Sequence, residues 1–207
     1  MKGSIILILQ ILVDISCPFY LQSLLVIHID GASRGNPGLS GIGILIMKDN
    51  LKIYEHKEFI GEKTNNQTEY IALKKALQLA CSIVHDCAEI TILSDSELVV
   101  NQRNKRYRVR NKQLKIILRE ITNLEKKFRN VIYRHIPREK NILADLLANQ
   151  AIDEHVKYQK SYSKANGSGE DSELSLNYVA QMRKRHLTEL PLKKESKGLS
   201  NEQNDRI

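Results

Sequence analysis

The sequence predicts an α/β domain in which a five-stranded mixed sheet is flanked by helices. Five short runs of mostly aliphatic and β-branched residues have the length and composition of strands. Four other segments carry apolar residues at steps of three and four, or begin with capping residues, as helices do. The order is strand, strand, strand, helix, strand, helix, helix, strand and helix, which is typical of a mixed sheet with helices on its faces.

The first three strands are predicted to follow one another directly. An apolar run from Leu24 to Ile29 ends at Asp30, and the glycines and the proline between residues 31 and 38 predict a loop after it. Ile42–Met47 and Leu51–Phe59 are then predicted to pair as a hairpin whose turn is Asp49-Asn50.

The first long helix is predicted from apolar residues that share one face. They are Tyr70, Leu73, Leu77, Ala80 and Val84. Asn66 is a suitable N-cap, and Glu69 three residues later would complete a capping box.

The second half of the predicted domain alternates strands and helices. Its elements are a strand over Glu89–Ser94 that ends at Asp95, a short helix through Val100 capped by Ser94 and Glu97, a helix over Gln113–Phe128, a strand over Val131–Ile136, and a helix from Ile142 to about His155 capped by Asn141. If the first and fourth strands are parallel neighbours, Asp30 and Asp95 lie side by side at the carboxyl edge of the sheet. Open α/β sheets place their sites at that edge.

The chain is predicted to hold one folded domain between two extensions. Residues 1–22 are predicted to be an apolar extension, residues 23–156 the domain, and residues 157–207 a polar, disordered tail. Within the tail, residues 161–175 have the composition of a linker, and Leu176–Leu190 is predicted to form a short helix.

The N-terminal residues 1–20 have the outline of a signal peptide, because Lys2 precedes an apolar run from Ile5 to Val13. The small-residue cleavage pattern is missing, and the run is too short to span a bilayer. We therefore favour a non-catalytic extension or an upstream start over a membrane-associating segment, with a cleaved signal as the third alternative.

Positive charge is concentrated in one part of the chain. The formal net charge is +8, yet residues 101–140 alone hold 14 Lys and Arg against 3 Asp and Glu. Such a basic block suggests a surface for a polyanion such as nucleic acid, although most basic helices simply face solvent. The three cysteines are an odd number without metal-type spacing, which argues against a disulfide framework or a zinc site and favours the reducing cytoplasm.

Four carboxylates lie where apolar segments meet turns or helix starts. They are Asp30, Glu69, Asp95 and Asp145. Ionised carboxylates repel one another, so a cluster of them needs a cation, and hard oxygen ligands suit magnesium or manganese rather than zinc. Two such ions can grip a phosphodiester and activate water. Each residue also has a local explanation as a turn or capping residue, so spacing alone leaves the choice open.

Four motifs together resemble type 1 ribonuclease H. They are Asp30-Gly31-Ala32-Ser33-Arg34-Gly35-Asn36-Pro37-Gly38, then Thr64-Asn65-Asn66-x-x-Glu69, then Ser94-Asp95-Ser96, and finally His135-x-Pro137-Arg138-Glu139-x-Asn141-x-x-Ala144-Asp145-x-Leu147-Ala148. They occur in the family's order and spacing, and the likeness runs from about residue 24 to residue 156. The lack of tryptophan and the Pro137-Arg138-Glu139 loop are more similar to the archaeal and plant-like branch of the family.

The resemblance implies a ribonuclease H-like fold and hydrolysis of the RNA strand of an RNA–DNA hybrid to 5′-phosphomonoesters. It implies two Mg²⁺ ions, with Mn²⁺ as a substitute, held by Asp30, Glu69, Asp95 and Asp145. It implies a role for His135 in proton transfer or product release, and hybrid contacts by Gly31, Asn36, Thr64, Asn65, Asn66 and Ser96. Glu97 stands where some relatives have an amide, so the resemblance supports no base contact there.

Other functions stay open from the sequence. A catalytically silent hybrid-binding module would share this fold, but it has no need of a repulsive carboxylate cluster. Another nuclease of the same superfamily, such as a junction resolvase, is a second alternative, and a membrane-anchored protein is a third. The expected partner is an RNA–DNA hybrid, and no protein partner is evident. Membrane association of residues 1–20 is not favoured. The protein is expected to be a cytoplasmic monomer.

Overall fold

The structure is a computed structural model, and it describes residues 25–84 and 88–166. Its strands are β1 (Leu25–Gly35), β2 (Gly38–Lys48), β3 (Leu51–Lys63), β4 (Glu89–Ser94) and β5 (Asn130–His135), and its helices are α1 (Asn65–Ile83), α2 (Glu97–Arg103), α3 (Lys112–Glu125) and α4 (Ile142–Asn166), with a 3₁₀ turn at Arg138–Lys140. The described residues up to Tyr162 belong to one compact unit. The predicted N-terminal extension, the linker beyond residue 166 and the helix Leu176–Leu190 lie outside the described residues.

The five strands form one mixed sheet in the order β3-β2-β1-β4-β5, which confirms the predicted fold class. β1, β2 and β3 pair antiparallel, whereas β4 and β5 run parallel to β1. Asp49 and Asn50 have φ values of 51° and 64°, the left-handed conformation of a tight hairpin turn between β2 and β3. The register places His28 opposite Leu93, so Asp30 and Asp95 come two residues later on neighbouring parallel strands.

β1 is longer than the sequence predicted. The prediction of a loop from Gly31 onward was wrong, because residues 31–35 continue β1 and pair with β2, which itself begins at Gly38. Only Asn36 and Pro37 form the turn. The backbone groups of this glycine-rich stretch are satisfied by antiparallel pairing, so glycine marks close packing here rather than the end of the strand.

Two glycines set how closely the helices approach the sheet. A Cβ at Gly31 would lie 2.7 Å from the backbone nitrogen of Glu69 in α1. A Cβ at Gly43 would lie 2.0 Å from the carbonyl oxygen of Ala144 in α4. Because Gly31 and Gly43 occupy alternate positions of the paired strands, α1 and α4 cover opposite faces of the sheet.

The caps of two helices differ from those predicted. Thr64, not Asn66, is the N-cap of α1, and it forms a capping box with Gln67 instead of Glu69. Ser96, not Ser94, is the N-cap of α2. In both places several capping residues stand in a row, and sequence alone does not tell which of them has extended backbone. Glu69 is thereby left without a capping role.

The last helix also extends further than predicted. α4 continues to Asn166 rather than ending near His155, so the linker assigned to residues 161–175 was wrong over residues 161–166. The helix was predicted to end near His155 because the residues after it are polar, but polar residues do not by themselves end a helix. Among residues 25–84 and 88–166, no helix is both long and apolar enough to cross a bilayer.

An ion-paired cluster joins β3 to α1. Glu58 Oε2 lies 3.1 Å from His56 Nε2 and 2.8 Å from Lys75 Nζ. Burial alone would raise the pKa of Glu58, but the hydrogen bonds and charges of His56 and Lys75 outweigh burial and lower that pKa to about 2. The ionised carboxylate is therefore favoured in the folded state.

This cluster predicts a pH dependence of stability. Because the folded pKa of Glu58 is depressed, its stabilisation is fully present above the unfolded pKa near 4.5 and is lost as the pH falls toward about 2. We expect Glu58→Gln to lower the free energy of unfolding at pH 7 by about 1.5–3 kcal/mol and to flatten its decline below pH 4.5. Urea unfolding across the acid range up to neutral pH measures both effects. Glu55→Gln is the matched control, because its pair with Lys52 is more than half exposed on both sides. An equal loss in the two variants would contradict the prediction.

Candidate active site

Asp30 lies in the middle of the sheet and not at a free strand end. It sits on β1, opposite Gly43 of β2, and its side chain is buried. Burial raises the pKa of Asp30 to about 7, and the negative charges of Asp95 and Asp145 act in the same direction. The carboxylate is thus held beside two others in a place where water cannot fully solvate it.

Glu69 enters the same region from α1. The close approach of α1 to β1 at Gly31 brings it beside Asp30. Burial raises the pKa of Glu69 well above its usual value, with the charges of Asp30 and Asp95 as further causes. Its Oε2 atom is buried without a hydrogen-bond partner. A buried carboxylate oxygen that no protein group satisfies is costly, and a cation is the kind of ligand that would satisfy it.

Asp95 is held in place by Asn141. Asn141 Nδ2 donates to Asp95 Oδ1 at 2.8 Å and to the carbonyl oxygen of Ile29 at 2.9 Å. Asn141 is buried directly before α4. The side chain of Asn141 therefore links the start of α4 both to β1, which carries Asp30, and to Asp95, which directly follows β4.

Asp145 lies in the first turn of α4 and is engaged on both oxygens. Arg138 Nη2 donates to its Oδ1 at 2.8 Å, and Asn149 Nδ2 donates to its Oδ2 at 3.3 Å. Asp145 is still close enough to raise the pKa of Asp30 through charge repulsion. The structure thus brings all four predicted carboxylates into one region, from four different elements.

The donor set fits a divalent metal. Four carboxylates supply only hard oxygen ligands, the type that Mg²⁺ and Mn²⁺ take, and one buried oxygen has no partner. Within residues 25–84 and 88–166, however, no three His, Cys, Asp or Glu side chains converge in the arrangement of a finished metal site. The reason is visible in the contacts, since Asp95 and Asp145 turn toward Asn141 and Arg138.

His135 ends β5 at the same edge of the sheet. Its Nε2 lies 3.2 Å from the carbonyl oxygen of Asp95, and the side chain is exposed. The contact ties the ring to the chain segment that carries a carboxylate. Its chemical role stays a prediction.

The residues predicted to contact substrate fall into two groups. Asn36 Oδ1 accepts from the backbone nitrogen of Asn65 at 3.2 Å, so the β1–β2 turn and the start of α1 form one surface with exposed amides. Thr64 is committed to the capping box of α1, and Asn66 lies exposed in its first turn. The second group is Gly31, which packs against α1, and Ser96, which caps α2. Their contacts with substrate stay predictions.

The basic segment, defined as residues 103–112, lies between α2 and α3. Arg103 forms an ion pair with Glu125, so it is engaged within the protein. The other carboxylate oxygen of Glu125 accepts a hydrogen bond from the Tyr133 hydroxyl. The cations at positions 105, 106, 108, 110 and 112 are exposed. A groove of about 620 Å³ runs beside them, with Tyr107 and Arg119 in its lining.

Two residues of the site were missed at the sequence level. Asn141 was assigned only to capping α4, and Arg138 was assigned no role beyond the motif. Asn141 is a polar residue that is buried between exposed neighbours. That burial would have indicated a role in the site, but it depends on how α4 is oriented in the fold and cannot be read from the sequence. Arg138 lies in the 3₁₀ turn before α4 and not in the helix itself, so its contact with Asp145 could not be predicted from the spacing within one helix.

The Asn141 bridge predicts a loss of stability on truncation. Asn141→Ala removes two buried hydrogen bonds, so we expect the free energy of unfolding to fall by about 1–3 kcal/mol. Chemical denaturation measures this loss. Asn123→Ala, at an exposed asparagine of α3, is the control and should change stability little. Equal stability of the two variants would mean that the bridge contributes nothing.

Comparison with known proteins gives concordant results. The family model described as reverse transcriptase-like matches residues 28–151. A bifunctional protein of Mycobacterium tuberculosis is 38% identical over 130 residues, which are 62% of this chain and 35% of that protein. Ribonuclease HI of Halobacterium salinarum is 37% identical over 128 residues, which are 61% of this chain and 63% of that protein.

A solved structure agrees with these sequence matches. A ribonuclease H1 designated LC11, determined in complex with an RNA/DNA hybrid, is 39% identical, with a TM-score of 0.60 over 64% of this chain and 99% of that chain. The chain spans about a third of the mycobacterial relative and less than two thirds of the halobacterial one. Within the reverse transcriptase-like group that the family model defines, this chain belongs to the type 1 ribonuclease H family.

Proposed function

We propose that this protein is a metal-dependent endoribonuclease that hydrolyses the RNA strand of RNA–DNA hybrids and leaves 5′-phosphates. The observation that carries the proposal is the buried Oε2 atom of Glu69, which has no hydrogen-bond partner and belongs to a group of four carboxylates whose charges act on one another. A protein that only binds nucleic acid has no use for that repulsion. The similarity to a ribonuclease H1 determined with an RNA/DNA hybrid supports the choice of substrate.

Asp30, Glu69, Asp95 and Asp145 are the proposed ligands of two Mg²⁺ ions, with Mn²⁺ as a substitute. When bound, the ions would supply the Lewis acidity that activates water and stabilises the leaving oxygen. Asn141 serves this set by fixing Asp95, and Gly31 serves it by letting Glu69 approach Asp30.

The reaction is hydrolysis of a phosphodiester. The oxygen of water forms a bond to phosphorus, the bond from phosphorus to the 3′ oxygen breaks, and that oxygen takes up a proton. His135 is the proposed group for proton transfer or product release, because it stands exposed at the same sheet edge and its ring contacts the backbone of Asp95.

Recognition of the RNA strand is proposed for the surface that Asn36, Thr64, Asn65 and Asn66 form, with Gly31 and Ser96 beside it. Small amides and exposed backbone groups can donate to and accept from 2′-hydroxyls in a wide, shallow minor groove. The hydrogen bond from Asn65 to Asn36 holds the two parts of this surface together before substrate arrives. The 2′-hydroxyl is what distinguishes RNA from DNA at such a surface.

The proposed function is tested by cleavage of an end-labelled RNA–DNA hybrid, with duplex DNA, duplex RNA, single-stranded RNA and branched DNA alongside. Each substrate is incubated with Mg²⁺, with Mn²⁺ and with chelator. Metal-dependent cutting of the hybrid's RNA strand alone is the expected result. Tight hybrid binding without cutting would replace the proposal by a silent binding module, and cutting of branched DNA would replace it by a resolvase.

Replacing Asp30 separates cleavage from binding. We expect Asp30→Asn to lower the cleavage rate by at least about a hundredfold, since one of the proposed metal ligands loses its charge. Hybrid binding without metal should persist or improve, because the repulsion between carboxylates and phosphate is reduced. Single-turnover cleavage and fluorescence anisotropy measure the two quantities. Asp153→Asn, at an exposed aspartate of α4, is the control and should cleave normally. Full activity of Asp30→Asn would remove Asp30 from the site.

The basic segment predicts salt-dependent binding. Replacing Arg106, Arg108 and Arg110 together by Gln should weaken hybrid binding, because fewer phosphates are then neutralised by the protein. The slope of log affinity against log salt should fall by about 1 for each phosphate that the variant no longer neutralises. The control replaces three exposed cations outside the segment, Lys126, Lys127 and Arg129, by Gln. If both triple variants show the same slope, the basic segment makes no specific phosphate contact.

A further inference from the structure

Arg138 is the cation that lies against the carboxylate cluster. Its Nη2 donates to Asp145 Oδ1 at 2.8 Å. The hydrogen bond to Asp145 and its negative charge, and then the charges of Asp30 and Asp95, raise the pKa of the Arg138 guanidinium. The guanidinium therefore feels three of the four carboxylates, although it belongs to none of the elements that carry them.

The contact with Arg138 blocks Asp145 as a ligand. Its Oδ1 accepts from Arg138 and its Oδ2 from Asn149, so both oxygens are engaged with protein donors. Metal coordination through Oδ1 requires that Arg138 moves away.

Arg138 is also placed so that it can leave. Its side chain is 75% exposed, whereas that of Asp145 is 26% exposed. It sits on a single 3₁₀ turn, which connects β5 to α4, and not inside a helix or strand. Solvent can take up the released guanidinium at little cost, because exposed ion pairs are weak and water hydrates the free ion.

We propose that Arg138 is a tethered counter-cation that competes with the divalent metal for Asp145 and thereby sets the metal affinity of the site. Without metal, the guanidinium offsets part of the repulsion among the carboxylates. When metal binds, the guanidinium is exchanged for it. The inference rests on the metal-dependent function proposed above, and it adds a positioning role for a residue of the loop before α4.

Metal binding without nucleic acid tests the inference. Free Mn²⁺ is measured by electron paramagnetic resonance during titration of the full chain at fixed ionic strength, for wild type, Arg138→Gln and Lys140→Gln. Lys140 is the matched control, because it lies in the same 3₁₀ turn, is exposed and has the same charge. It corrects for the effect of removing one exposed positive charge from this turn.

The expected result is tighter Mn²⁺ binding by Arg138→Gln, by about twofold to fivefold, with Lys140→Gln close to wild type. Without metal, Arg138→Gln should unfold at a lower temperature than Lys140→Gln, and Mn²⁺ should raise its melting temperature by more. Arg138→Lys keeps the charge but loses the planar fork, so its affinity should lie between wild type and Arg138→Gln.

Each contrary outcome has a separate meaning. Equal affinities in Arg138→Gln and Lys140→Gln, or weaker binding in Arg138→Gln than in wild type, would overturn the inference and leave the proposed nuclease function intact. Absence of saturable Mn²⁺ binding in every variant would overturn both. Tighter binding in Arg138→Gln together with no cleavage of any hybrid would support the inference and overturn the proposed function.

Discussion

Mutual repulsion among four carboxylates is the constraint around which this edge of the sheet is arranged. Burial, and then the negative charges of the neighbouring carboxylates, raise the pKa values of Asp30 and Glu69. The protein meets the repulsion with donors that lie at the start of α4. Asn141 holds Asp95, and Arg138 holds Asp145. The buried Oε2 of Glu69 has no such donor. The four carboxylates together carry more negative charge than the protein donors near them offset. The partnerless oxygen of Glu69 and the contact of Arg138 with Asp145 both belong to this excess.

The frame that maintains this repulsion is built from backbone contacts. Parallel pairing of β1 with β4 puts Asp30 of β1 beside Asp95, which directly follows β4. Gly31 and Gly43 let α1 and α4 approach from opposite faces, where a Cβ would lie within 2.7 Å of backbone atoms. A core of fully buried aliphatic residues on the central strands stabilises this arrangement. The carboxylates cannot relax apart without moving whole elements, so the packing of the core offsets the repulsion.

Prediction of the fold from the sequence succeeded where one physical rule dominated. Apolar runs and helical spacing predicted all five strands and their order along the chain, and parallel pairing of the first and fourth strands places Asp30 and Asp95 together. Prediction failed where two rules competed. Glycines after Asp30 indicated a loop, but pairing with β2 continued the strand to Gly35. Thr64 took the cap assigned to Asn66, since several capping residues are adjacent. The partners of Asn141, which are Ile29 and Asp95, are distant in sequence, and only the folded chain brings them together.

The candidate site therefore has a fixed part and an adjustable part. Asp30 lies on the central strand and Glu69 on a helix packed against it, so neither can move without disturbing the core. Asp145 is half-buried, and its partner Arg138 is exposed on a single 3₁₀ turn. A buried carboxylate pair provides a strong but unselective attraction for any cation. In the proposed exchange, selectivity comes from the part that can rearrange, because an ion that displaces the guanidinium is bound only if its coordination is better than the contact it replaces. In this proposal, Asp30 and Glu69 attract the cation, whereas Asp145 and Arg138 control its exchange. The two roles are separate because the core holds β1 and α1 rigid but not the 3₁₀ turn that carries Arg138.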